Sequence, residues 1–329
     1  MVGANVEVCR KLTIDGTQDL LMPISTRVPA GAGPHSADVP HSSAGQAGNS
    51  KSRRQDEVVY INGQPHVSVS IKPTDDECAA YCGEGYVAPR VVQARLISHR
   101  AFHGQEAEDR ARESKQSAAG ATAAGGSSGS SMPMGLLGAT MPSISWKNKE
   151  SADTSPFLII HFHGGGFIAQ SSASHEAYLR DWAKGLNAPI LSVDYDLAPE
   201  HPFPVAVCQA FYAYCWALKN AALLGSSAKS ILCVGDSAGG NLAAVVTLRA
   251  LELGISEPSG VVMIYPALYL HMTPCASRVL SLMDPLLPLG TLQLCMTSYA
   301  QRFQVSAPPP PADARTWPVG ARHLAFRMR

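Results

Sequence analysis

The chain has no net charge, its 26 Lys and Arg residues balancing 26 Asp and Glu residues over 329 positions. Without an overall field to draw in a polyanion, no nucleic-acid partner is expected. Charged residues are sparse as well, at 16% against 46% hydrophobic. No stretch approaches the roughly 20 apolar residues that span a bilayer, so no transmembrane segment is expected. The first residues, Met1 to Val8, lack a basic stretch followed by an apolar one, and no secretory signal is read there. Paired metal-ligand spacing is absent too: Cys78 and Cys82 have no second pair, so neither metal nor cofactor is expected. The remaining cysteines include several within apolar runs, such as Cys233 between Ile231 and Val234, as suits reduced thiols in the cytoplasm. These absences leave a soluble chain, or one peripheral to a lipid surface.

What is present falls into four stretches. Residues 1–90 show no definite element, and Pro29 to Asp56 reads as disordered, rich in Pro, Gly, Ser and His. Residues 91–150 begin with the alternating strand Val91 to Ser98, continue with a short exposed helix over Gln105 to Lys115, and end in an Ala/Gly/Ser linker near Gln116 to Ser131. Residues 151–303 alternate short apolar runs with helical segments. Strands are expected at Phe157–Phe162, Pro189–Asp194, Ser230–Gly235 and Gly260–Tyr265, with helices at Ser174–Leu186, Val205–Leu224 and Ala238–Leu253. That alternation predicts an α/β domain, a mostly parallel sheet with helices on both faces. Residues 304–329, with Ala307-Pro-Pro-Pro-Pro and four arginines, form a disordered tail.

Two motifs carry chemistry. Gly235-Asp236-Ser237-Ala238-Gly239 is a G-x-S-x-G placed between a buried strand and a helix. In that setting a sharp turn holds the Ser237 hydroxyl above the sheet edge, at a helix N-terminus whose free amides favour developing negative charge. His163-Gly164-Gly165-Gly166-Phe167 follows the first buried strand, about 70 residues earlier. Acyl transfer builds an oxyanion on a carbonyl, and backbone amides must already point at it. The three glycines let the chain approach without a side chain, and their amides with that of Ala238 can form such a hole. His163 reads as a brace for this loop. A methyl group on Gly165 would crowd the bound carbonyl.

The runs Phe162-His-Gly-Gly-Gly-Phe-Ile-Ala-Gln170, Val193-Asp-Tyr-Asp-Leu-Ala-Pro-Glu200 and Gly235-Asp-Ser-Ala-Gly-Gly-Asn241 together resemble the hormone-sensitive lipase family of esterases. Phe211 to Ala217 and Ser281 to Leu289 look like its lipase members more than its bacterial or detoxifying ones. The resemblance is specific from about Pro156 to Ala300. It implies an α/β-hydrolase fold and hydrolysis of acylglycerols and cholesteryl esters by a serine enzyme. It also implies a lipid ester as partner, met in the cytoplasm at the surface of lipid droplets or membranes.

One departure stands against it. In this fold the acid and the histidine follow the serine on later loops. After Ser237 the chain holds only His271 and His323, with Glu252, Glu257, Asp284 and Asp313 as acids, and no His-Gly pair. The triad acid and base are therefore unassigned, and the later strands of the fold are expected to be missing. Two readings remain: an ester hydrolase acting through Ser237, or an inactive piece of one that binds or regulates. Asp194 and Asp196 read as structural, His175 as a helix-start residue, and Phe167, Tyr178 and Phe203 as core.

Overall fold

The computed structural model describes residues 8–25, 58–73, 86–105, 153–270 and 275–300. The segments expected to be disordered or linking, the helix expected at Gln105 to Lys115, and the tail 304–329 lie almost wholly outside these residues. In chain order the strands are β1 Val8–Asp15, β2 Leu20–Pro23, β3 Val58–Ile61, β4 Gln64–Val69, β5 Val91–Ser98, β6 Ser155–Phe162, β7 Ile190–Asp194, β8 Ser226–Asp236 and β9 Gly260–Ile264. The helices are α1 Ser172–Leu186, α2 Val205–Lys219, α3 Ala238–Leu253, α4 Ala276–Leu280 and α5 Leu289–Ala300.

Six strands form one sheet in the order β1-β5-β7-β6-β8-β9, and β2-β4-β3 form a small second sheet. β7, β6, β8 and β9 run parallel, whereas β5 is antiparallel to both β1 and β7. Side chains alternate across β6. Leu158, Ile160 and Phe162 enter the larger core with α2 and α3, while Ile159 joins a smaller one with Leu179 and Ala183 of α1. An apolar groove of about 510 Å³ remains between α1 and β8–β9, lined by Trp182, Leu186, Leu232 and Val262. β9 forms one edge of the described sheet, with Val262 and Met263 partly in solvent.

The helices begin and end where local chemistry dictates. The Ser171 amide donates to Ser174 Oγ at 3.2 Å as α1 starts, and Asn187, left-handed at φ 48°, ends it. α2 carries apolar residues on every face, and its buried set, from Val205 to Ala217, matches a helix enclosed on all sides.

The first ninety residues differ from expectation. They supply four strands, and β1 pairs with β5 from Val8↔Ser98 to Asp15↔Val91. The sheet thus begins well before the boundary expected at residue 151. The signal was present but short: Val67, Val69 and Ile71 are buried at alternate positions. Tyr212 of α2 fastens this part, its hydroxyl lying 2.9 Å from Asp15 O and 3.0 Å from Gln18 O. Tyr212→Phe should therefore lower stability by about 0.5–1.5 kcal/mol, the net worth of a hydrogen bond whose acceptors can turn to water. The shift in urea midpoint, with unchanged slope, measures it.

Candidate active site

The parallel register brings the ends of three strands level, with Phe162 beside Val193 on one side and Gly235 on the other. The chain leaves β6 toward β7 on one flank and reaches β8 on the other. The site therefore lies where strand order switches direction, the usual place for a crevice in open α/β sheets.

Ser237 joins β8 to α3 at φ 52°, ψ −114°, a conformation a non-glycine residue holds only when its surroundings enforce it. They do so by three bonds. Its amide donates to Ile264 O at 2.9 Å, and its carbonyl accepts from the amides of Asn241 and Ala267, each at 3.1 Å. The hydroxyl does not cap α3. Gly239 makes the packing possible: a Cβ there would lie 1.9 Å from Phe162 O.

The loop after β6 is equally constrained. Gly165 O accepts from Ile168 N at 3.1 Å and Ala169 N at 3.0 Å, and Phe167 O accepts from Ala198 N at 2.9 Å. Phe167 stacks on Tyr299 of α5, ring centres 3.8 Å apart. Gly165 has φ 104°, and a Cβ on it would lie 2.0 Å from Ala169 O. A methyl group there would collide with the loop's own backbone, a constraint that the sequence did not disclose. His163 is the brace: its Nδ1 lies 2.7 Å from Gly164 O, and its ring stacks at 4.2 Å on Tyr195, whose hydroxyl donates to His163 O.

The amides differ among themselves. That of Gly164 points to His175 Nε2 at 3.3 Å. Those of Gly165 and Gly166 meet no acceptor among the described residues, and that of Ala238 is the first of its helix, where no intrahelical partner exists. Three unpaired donors thus flank Ser237 and its neighbouring loop, a set able to hold negative charge on an oxygen.

Beneath them lies a cluster of polar groups that the sequence did not disclose. His175 Nε2 is 3.0 Å from Asp236 Oδ1. His161, fully buried, contacts Ser192 Oγ at 2.8 Å and Tyr178 hydroxyl at 3.0 Å. Burial drives His161 down to about 3, and His163 also downward. For His175 burial acts the same way, but the Asp236 carboxylate outweighs it and the net shift is upward. Asp236 is lowered: burial would raise it, and the bond and charge of His175 overcome that. His175 is thus no mere helix-start residue. Its partner lies 61 positions away, and no local pattern could have linked them.

The other residues fall as follows. Asp194 accepts the Ser172 amide and hydroxyl, and Asp196 bonds Gln209, so both are structural. Phe167 and Phe203 are buried against Tyr299. Asp284 is exposed and accepts the amides of Leu286 and Leu287 in its own turn, and Glu252 pairs with Arg249. His271, Asp313 and His323 lie outside the described residues. Among the described residues, no three His, Cys, Asp or Glu side chains are grouped to hold a metal ion, and no helix is long and apolar enough to cross a membrane.

A strained serine between strand and helix, set against a glycine loop on a mostly parallel sheet, is the arrangement of the α/β-hydrolase fold, and residues 159–318 match a family model described as alpha/beta hydrolase fold. Within that fold, about half of the chain is similar to hormone-sensitive lipases. It is 55% identical over 155 residues to hormone-sensitive lipase of Homo sapiens, covering 47% of this chain and 14% of that protein. With hormone-sensitive lipase of Bos taurus the identity is 56% over 151 residues, or 46% of this chain and 20% of that one. The chain therefore spans a small part of these relatives' length. A solved esterase from the archaeon Pyrobaculum calidifontis aligns at 28% identity and a TM-score of 0.46, over 64% of this chain and 53% of its own.

The His175–Asp236 pair sets a pH dependence. Asp236, lowered from 3.8, adds stability above that value and loses it as pH falls through its folded pKa. His175, raised from 6.5, adds stability below that value and loses it as pH rises through its folded pKa. The melting temperature should therefore fall on the alkaline side, and Asp236→Asn should remove that fall. Differential scanning fluorimetry from about pH 5 to pH 9, around the free-histidine value, reads both.

Proposed function

We propose that this chain is the nucleophile-bearing portion of a serine carboxylic ester hydrolase of the hormone-sensitive lipase type. Residues 151–303 carry its site. One observation bears the reading: Ser237 is held in a strained turn beside unpaired amides of Gly165, Gly166 and Ala238. Ser237 is the nucleophile and Gly235, Asp236 and Gly239 shape its elbow. His163, with Gly164, Gly165, Gly166 and Ala238, builds the oxyanion hole.

The chemistry follows from that arrangement. Ser237 Oγ adds to the ester carbonyl, its proton leaving to a base, and the carbonyl oxygen becomes an anion held by the amides. Collapse expels the alcohol and leaves an acyl-serine, which water hydrolyses to the acid. A single donor of this kind contributes about 10²- to 10³-fold in rate. No residue of this chain is assigned as the base or the acid.

The substrates proposed are lipid esters, acylglycerols and cholesteryl esters among them. The setting is the cytoplasm, at the surface of lipid droplets or membranes. Similarity to hormone-sensitive lipases across the site supports this, as do the low charge content and the apolar composition.

Ser237→Ala tests the assignment. It should abolish hydrolysis of p-nitrophenyl butyrate, by up to about 10⁶-fold in kcat if the serine is fully activated, with the circular dichroism spectrum unchanged. Turnover equal to that of the unaltered chain would move the nucleophile elsewhere.

A further inference from the structure

His175 stands where α1, β6 and the elbow meet, and one of its nitrogens has two claims upon it. Nε2 lies 3.0 Å from Asp236 Oδ1 and 3.3 Å from the Gly164 amide nitrogen. The amide needs a lone pair there, whereas the carboxylate needs a proton. Nδ1 lies 3.1 Å from the carbonyl of Ser171 and 3.0 Å from Ser174 Oγ, and the carbonyl fixes a proton on Nδ1. A neutral His175 therefore accepts the Gly164 N–H at Nε2, and Asp236 Oδ1, which is buried, is left without a hydrogen-bond donor. In the imidazolium form Nε2–H donates to Asp236 Oδ1, and the Gly164 amide is released.

We propose that His175 is a positioning residue that decides whether the Gly164 amide is tied back to α1 or is free to join those of Gly165, Gly166 and Ala238 around a substrate oxyanion. This rests on reading the glycine loop as the anion-binding part of an ester hydrolase.

Two features make the choice consequential. Asp236 directly precedes Ser237, so the group His175 grips belongs to the elbow itself. The same carboxylate also supports the loop: a Cβ on Gly164 would lie 2.3 Å from Asp236 Oδ2. A change in the His175–Asp236 contact is therefore felt at Gly164 twice, through the carboxylate and through the released amide.

The titratable groups facing His175 are His161 from β6, His163 from the loop, Tyr178 from its own helix and Asp236 from β8. The three ring centres lie 5.5, 5.9 and 5.8 Å from that of His175. Burial pushes His161 and His163 down and Tyr178 up, while the bond and charge of His175 lower Asp236. His175 is thus the histidine of the cluster whose charged form its surroundings favour, through the Asp236 carboxylate.

The test is a pH titration of the full chain, labelled with ¹⁵N-glycine and ¹³C-histidine and followed by NMR. The Gly164 amide and the His175 ring should titrate with one midpoint, the amide proton moving upfield on acidification as its bond is lost. Asp236→Asn should lower both midpoints together by about one pH unit or more, the effect of losing a tenfold preference for the charged ring. His175→Gln should leave Gly164 without a titration. Ser237→Ala should leave both midpoints in place while abolishing ester turnover. Turnover surviving in that variant would sink the hydrolase reading alone. A Gly164 resonance that stays flat through the His175 transition, or midpoints unmoved in Asp236→Asn, would overturn the role given to His175.

Discussion

A helix can begin directly over the end of a neighbouring strand only if nothing stands between their backbones. At Gly239 that condition is met with no room to spare, since any side chain would enter the carbonyl of Phe162 and press on that of His163. The contact brings α3 against the exit of β6. From it follow the short span between Ser237 and the glycine loop, the buried packing of Leu242 and Val246 in the main core, and the common level at which the strands end. A larger residue there would separate the two halves of the site before it disturbed any catalytic group.

The polar groups under the site obey a different constraint. Buried charges persist only when paired. In the cluster burial pushes His161 and His163 down, away from the charged form, while His175 lies 3.0 Å from Asp236 and is raised by it. Its hydroxyl partners, Ser192 and Tyr178, satisfy His161 without adding charge. Asp236 is the carboxylate of this group, and its charge is balanced when His175 carries a second proton.

What could be read from the sequence was what is local. The elbow and the glycine loop are contiguous motifs, and the helix expected at Ala238–Leu253 coincides with α3, because the serine turn starts it and Gly254, left-handed at φ 67°, stops it. α1 begins two residues before its expected start, where Ser171 and Ser174 close its first turn. β1 to β4 were not legible. They are short, and β1 finds its partner some eighty residues later, as in Leu12↔Ala94, which no window of sequence spans. The role of His175 was hidden for the same reason. At Gly165 the run of glycines gave no sign that the loop folds back on itself, so that a Cβ would meet the carbonyl of Ala169.

The amide of Ser237 is bonded to the last residue of β9, Ile264. Among the described residues β9 is paired on one side only. The strained backbone of the serine is therefore moored to an edge strand of the described sheet. Edge strands open locally more readily than central ones, and the lifetime of such an opening bounds how long the strain can be stored. A strand laid along the free side of β9 would therefore tighten the mooring of Ser237 without touching it.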